Sequence, residues 1–495
     1  MAQEIRRAQG CSAAPRRASH APMRHKLLLL AFAAQVLAAA GRVPIAPVVA
    51  VLASLLSSVE AKNAPTALEA SFKSRITQKL NSSLEQAAEH LVVRLALGGG
   101  PFGGYELHEC GADSGCKTWI HSCHEIDATR DAIELCAMRQ LHALTAICDV
   151  DGFLDRNEAA LALVNEHLKI LAKGEVASLA IKKTKWDSSD LWMYRKSPKT
   201  ARDDVEVSPA LQASVLMAVV RCADAVGKRE YFQEAESWFM GLQKVYPRES
   251  WNETLVTFHK SGIIWESLAL VASHLPVDST FHASLVKYIK DKEAFLSGLW
   301  KQSEKVWSFA TARAIALRWN SRAMKGKKKQ RKQMQKWAKE HVDRFLGRGK
   351  ADNAKGLIDT IGTQSYTCGP LQGLTALASV LRDAELVQVV LQLLEKDVDR
   401  YQVKPDADST SRFSMTPEEV KGSFFRDQDQ MKLEKRFSLR VDDAVQCVIA
   451  LTEALRTLET IHGVEVAPEE HRTTEVDAED GNSHSADNSG TKTEL

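Results

Sequence analysis

Three stretches of this 495-residue chain have residue types and spacings that can do chemistry. The first is Cys148-Asp149-Val150-Asp151-Gly152-Phe153-Leu154-Asp155-Arg156-Asn157-Glu158. Setting Gly152 at the tight turn of an EF-hand loop puts Asp149, Asp151, Asp155 and Glu158 at oxygen-ligand positions, with Glu158 as the closing carboxylate. Ile147 stands where the first ligand belongs, which removes one carboxylate from the set. The competing reading is a helix–turn–helix connection in which Asp and Asn cap helix ends. Calcium is the one cofactor this sequence suggests.

The second group sets carboxylates and arginines beside aromatic residues: Trp186-Asp187, Asp190-Leu191-Trp192, Trp265-Glu266, Tyr366, Gln372, Arg426, Arg440 and Asp442. Glycoside hydrolysis needs two carboxyl groups, one protonated and one ionised, about 5–10 Å apart. Glu266 lies inside an apolar run, and burial raises a carboxyl pKa toward that of a general acid. Asp442 is the candidate second carboxylate. Trp265, Tyr366, Gln372, Arg426 and Arg440 are candidates for holding a substrate. Against this, Glu266 can simply be paired in the core. Asp442 and Asp443 at a helix start can simply complement the helix dipole.

The third group runs from His108-Glu109-Cys110 to His121-Ser122-Cys123-His124. Its cysteine spacing matches no common zinc finger, so a local disulfide is expected there instead. Cys222 and Cys447, within helical patterns, read as small buried apolar residues. Gly111 to Thr118 is a near miss to a phosphate-binding loop: Cys116 replaces the second required glycine, and no strand is expected before it. The basic run Lys325–Lys339 reads as a solvated helix face or a loop insertion. A net charge of +2 argues against a nucleic-acid protein.

The elements that must position these groups are helical. Ser208-Pro209 is an N-cap followed by a first-turn proline. Leu211, Val215, Leu216, Val219, Cys222 and Val226 follow at helical spacing, and Gly227 ends the run. A second helix, Tyr231 to Val245, starts at once and is stopped by Pro247. Similar units are Ile133–Leu144 with Ala159–Leu171, and Leu371–Leu381 with Leu386–Val398. Ile263–Ala272, Phe281–Trp300, Val306–Trp319 and Val441–Leu458 continue the series, and no segment of β period rivals them. The expected class is all-α, about a dozen helices in hairpins with no repeat of fixed length. Without a fixed period, a closed ring of about six hairpins is preferred to an open α-helical stack.

The hairpin Ser208–Tyr246, the piece Tyr366-Thr367-Cys368-Gly369-Pro370-Leu371-Gln372-Gly373, and Phe424-Phe425-Arg426 followed by Arg440-Val441-Asp442-Asp443-Ala444-Val445-Gln446 carry a resemblance. The chain resembles the (α/α)6-toroid, or six-hairpin, proteins over most of residues 66–463. Many of these act on carbohydrates and hold ligands in loops at one rim. That implies a glycan or small polar ligand, at the level of the fold alone.

The two ends read as addresses. A basic stretch with Arg6, Arg7, Arg16, Arg17, Arg24 and Lys26 precedes the apolar runs Leu27–Ala40 and Val43–Leu56. That order suits a signal peptide over residues 1–61, cut near residue 40 or near 61. Membrane attachment follows only if this segment stays uncleaved, and an organelle presequence is a further alternative. A helical domain is expected over 62–465. Residues 466–495 are polar and acidic, a composition that cannot build a core. They end Lys492-Thr493-Glu494-Leu495, similar to the Lys-Asp-Glu-Leu retrieval signal with Thr493 out of pattern, so a retrieval receptor is the expected partner. Asn81 and Asn252 head N-glycosylation triplets. The combined expectation is a lumenal protein that binds or processes a glycan or another small polar substrate. The alternative is a non-catalytic helical scaffold.

Overall fold

The computed structural model describes residues 67–97, 105–111, 115–121, 130–173, 181–186, 189–195, 205–248, 251, 258–299, 309–321, 324, 327–345, 368–404, 420–425 and 437–462. Thirteen helices dominate these residues, so the protein is mostly helical. Tyr366, Arg426, Asn252, the two termini and Cys123 lie outside them.

Burial sorts the helices into two kinds. Six are buried on nearly every face: α2 (Arg130–Asp149), α5 (Pro209–Ala225), α7 (Phe258–His274), α9 (Phe309–Asn320), α11 (Gly369–Leu381) and α13 (Val441–His462). In α5 every residue from Ala210 to Ala223 is buried. A helix that is apolar all round must lie inside a larger assembly. The others show one buried stripe and one exposed face: α1 (Ala67–Leu97), α4 (Glu158–Lys173), α6 (Tyr231–Val245), α8 (Thr280–Leu299), α10 (Lys328–Phe345) and α12 (Ala384–Tyr401). The thirteenth, α3 (Phe153–Arg156), is a single turn.

The buried six pack in succession: α2 on α5, α5 on α7, α7 on α9, α9 on α11, α11 on α13, and α13 on α2. The partly exposed helices lean against them, α6 on α5, α8 on α7, α10 on α9, α12 on α11 and α1 on α13. Two disulfides tie the inner layer together, Cys148–Cys222 between α2 and α5 and Cys368–Cys447 between α11 and α13. Cys222 and Cys447 are therefore cross-links and not merely small apolar residues. The sequence could not show this, because the pairs are 74 and 79 residues apart.

The predicted local signals hold where they were strongest. Ser208 caps α5: its hydroxyl accepts from the Leu211 N–H at 3.2 Å, with Pro209 in the first turn. Gly227 ends the unit in the left-handed region, at φ +71°. The sequence assigns no cap to α12, which Asp383 starts by accepting from the Leu386 N–H at 3.1 Å. The basic run is a solvated helix face, as expected: Met334, Trp337, His341 and Phe345 of α10 point inward, and Lys328, Lys332, Lys336 and Lys339 point outward.

Two small antiparallel sheets accompany the helices, and periodicity did not reveal them. One has the order β2-β1-β6, from Tyr105–Gly111 (β1), Gly115–His121 (β2) and Phe437–Arg440 (β6). The other has the order β3-β4-β5, from Ile181–Trp186 (β3), Ser189–Arg195 (β4) and Val205–Val207 (β5). Strands of three to seven residues are set by their pairing partners more than by their own period. A strand does precede the phosphate-loop near miss, contrary to expectation, but a second strand and not a helix follows it, so no helix N-terminus faces a phosphate there. Strand β6 runs straight into α13, and β5 reaches α5 through Ser208. Among the described residues no helix is long and apolar enough to cross a membrane.

One buried cation stands out in the core between α6 and α8. Lys292 is 1% exposed, and its ammonium donates to the Tyr246 hydroxyl at 2.7 Å. It lies 4.6 Å from the Tyr246 ring centre and 4.9 Å from that of Trp251, and among the described residues it makes no ion pair. Burial pushes its pKa down to about 7. The unfolded lysine holds its proton up to about pH 10. Between these values the unfolded state binds more protons, so stability rises with pH across that window. Lys292→Met should remove this rise, seen as a flatter dependence of the unfolding midpoint on pH between 7 and 10.

Candidate functional site

The C-terminal portions of the six inner helices meet around a cavity of about 450 Å³. Helix α2 supplies Asp149, α5 Arg221, α7 Ser273 and His274, α9 Asn320, α11 Ser379, and α13 Glu453, Arg456, Thr457 and Glu459. Asp151, just past the end of α2, completes the polar lining. Leu270 and Leu317 add the apolar part, and among the described residues no Phe, Tyr or Trp lines it. The polar residues at this end of the inner helices are the ones that line the cavity; others, such as Glu266 and Arg313, lie deeper in the layer.

Arg456 organises the site. Its Nε and Nη2 donate to the two carboxylate oxygens of Asp151 at 2.9 and 2.8 Å. The same guanidinium donates to the Asp149 carboxylate at 3.2 Å and to the Asp149 carbonyl at 2.6 Å. Arg221 closes on Asp149 from α5 at 2.8 Å. Burial alone would raise the Asp149 pKa, but Arg456 and Arg221 outweigh it and hold the carboxyl well below the usual carboxylate range. Asp149 is therefore an anion at any physiological pH.

A second polar unit faces the cavity from α7. His274 Nδ1 lies 2.9 Å from an Asp224 oxygen, and Arg229 reaches the other oxygen of Asp224 at 3.3 Å. Burial is the main influence on His274 and lowers its pKa, so the imidazole is neutral at pH 7. A neutral histidine oriented by a carboxylate can accept a proton from a bound hydroxyl.

Next to the cavity, a buried charge network crosses the inner layer. Arg313 of α9 pairs with Glu266 of α7 and reaches Glu453 of α13 at 3.6 Å. Glu266 is 8% exposed; burial raises its pKa and Arg313 opposes the rise. Of the two readings of Glu266, the paired core residue is the one the geometry supports. It does not line the cavity.

The other sequence candidates fall elsewhere. Asp442 sits in the first turn of α13, paired with Arg139 at 3.3 Å. Glu453, which shares Arg313 with Glu266, lies eleven residues further along α13, about 16 Å along the axis. Glu266 and Asp442 thus answer to different partners at different levels. Trp265 is fully buried and packs edge-on against Trp337 with ring centres 6.0 Å apart, a core contact and not a stacking platform. Trp192 is equally buried, against Trp238. Gln372 is buried in the first turn of α11. Arg440 ends β6 opposite Leu107. Asn81 is exposed on α1.

In the EF-hand-like stretch, Asp149 and Asp151 meet guanidinium groups, and Asn157 caps α4 by accepting from the Ala160 N–H at 2.9 Å. Asp155 lies in α3 and Glu158 opens α4. Among the described residues no group of three or more His, Cys, Asp or Glu is placed to hold a metal ion. The capped connection is the reading this geometry favours.

Sequence reasoning missed Arg221, His274, Arg456 and Glu453. Each lies toward the C-terminal end of an inner helix, but other polar residues in the same helices, such as Glu266 and Asp442, gave the sequence no means of singling it out. Comparison with protein-family models, with curated proteins and with solved structures finds no match to this chain.

Proposed function

We propose that the protein is an (α/α)6 toroid that binds a small, hydroxyl-rich polar ligand at the C-terminal end of its six inner helices. The succession of inner helices that returns to α2, each flanked by an outer helix, supports the toroid. One observation carries the ligand reading: all six inner helices place polar side chains on a single cavity. Its volume lies in the range of small-molecule sites. Ser273, Asn320, Ser379 and Thr457 offer hydroxyl and amide groups, and Arg456 and Arg221 are already held by Asp149. The ligand this suits is polyol-like, such as a single sugar unit. Binding is favoured over hydrolysis, because Glu266 is tied to Arg313 and Asp149 is held ionised.

The two disulfides support a lumenal or secreted setting, since such bonds persist in oxidising compartments. Entry through residues 1–61 and retrieval through Lys492–Leu495 belong to this proposal. The scaffold reading is favoured by one observation, the Glu266–Arg313–Glu453 ion-pair network inside the inner layer. Calorimetric titration with glucose, mannose and glucuronate separates the two. Saturable binding of at least one probe, abolished by the cavity-filling Ser379→Phe, supports the ligand site. No heat from any of the three at millimolar concentration supports the scaffold.

A further inference from the structure

The basic run is only partly explained by solvation, because Lys327 belongs to a second cleft. That cleft, about 370 Å³, lies between α8 and the start of α10. It is lined by Lys287 and Lys290 of α8, by Lys327 just ahead of α10, by His282, and by a single carboxylate, Asp291. Lys287 and Lys290 are three residues apart and share one helix face. Among the described residues, none of Lys287, Lys290 and Lys327 makes an ion pair. The neighbouring Glu293 is taken by Arg318 at 2.6 Å. Partial burial and then the nearby Lys327 charge push the Lys290 pKa down, so the cations repel each other across the cleft.

Among the described residues these three ammonium groups stand around one concavity with a single carboxylate, Asp291, so the cleft carries net positive charge. Hydrated counterions screen such charges when they are scattered over a convex surface, but here they converge. From the cleft, Lys328, Lys332, Lys336 and Lys339 continue along the exposed side of α10 at spacings of four, four and three residues. That spacing keeps them on one face over about 16 Å. We infer that the cleft formed by Lys287, Lys290 and Lys327 is a binding site for an oxyanion, a phosphate or sulfate ester, with the α10 lysines serving further anionic groups of the same ligand. This site is separate from the cavity at the ends of the inner helices and stands or falls independently of it.

The test uses the full chain, with tripolyphosphate and a fully sulfated disaccharide as probes. Lys287 and Lys327 are exposed, so Lys287→Ser/Lys327→Ser should fold normally, which its unfolding midpoint verifies. The double Lys169→Ser/Lys228→Ser removes the same charge elsewhere. The wild type and this control should bind at least one probe with equal affinity. The cleft variant should bind it at least tenfold more weakly, and the affinity should fall with added salt. Preference for one probe identifies the ester. Absence of binding at millimolar probe, or equal weakening in both doubles, overturns the site.

Discussion

Replacing Arg313 with methionine should destabilise the protein by about 3–5 kcal/mol, the cost of removing one partner from a buried ionic network. Arg313 is 5% exposed and stands between Glu266 and Glu453. Without it the buried Glu266 and the part-buried Glu453 face each other across the junction of α7, α9 and α13. One must then take up a proton, so the variant should also lose stability as pH rises. The control is Arg313→Met combined with Glu266→Gln and Glu453→Gln, which removes the stranded charges and should recover most of the loss. Urea unfolding at pH 5 and pH 8 reads both effects. A single variant as stable as the wild type would show that the network contributes nothing to the inner layer.

Breaking Cys148–Cys222 should cost a similar amount. The bridge joins two inner helices that are neighbours in the succession, across 74 residues of chain. Closing a loop of that length removes unfolded-state entropy worth about 4.5 kcal/mol in the chain-entropy model. Cys148→Ala/Cys222→Ala should therefore lower the urea midpoint sharply, and reductant should do the same to the wild type once it unfolds. The inner helices then depend on packing alone. An unchanged midpoint in both experiments would mean that the sulfurs are not joined in solution.

The sequence was most legible where local rules decide the outcome. Ser208-Pro209 and Gly227 mark helix ends through their own backbone and capping chemistry, and they do so in the structure. The basic face of α10 was also legible, as a solvated helix face. What remained hidden depends on distant partners. Glu266 offered two meanings, and only Arg313, 47 residues away, chooses between them. Asp149 and Asp151 suggested calcium ligands because Arg456, more than 300 residues away, is invisible to a local pattern. Cys222 read as a small apolar residue because its partner is on another helix. The candidate cavity takes one or a few residues from each of six helices, so no single stretch of sequence announces it. The short strands fall under the same limit, since pairing defines them.

The ligand site at the inner-helix ends is tested most directly by the electron density of crystals soaked in glucuronate. A sugar-shaped feature is expected inside the cavity, within hydrogen-bond distance of at least one of Ser273, Asn320 and Arg456. The same soak of Ser379→Phe should show the phenyl group in its place. Density for the probe bound elsewhere on the protein, with the cavity holding only water at saturating glucuronate, would contradict a ligand site there.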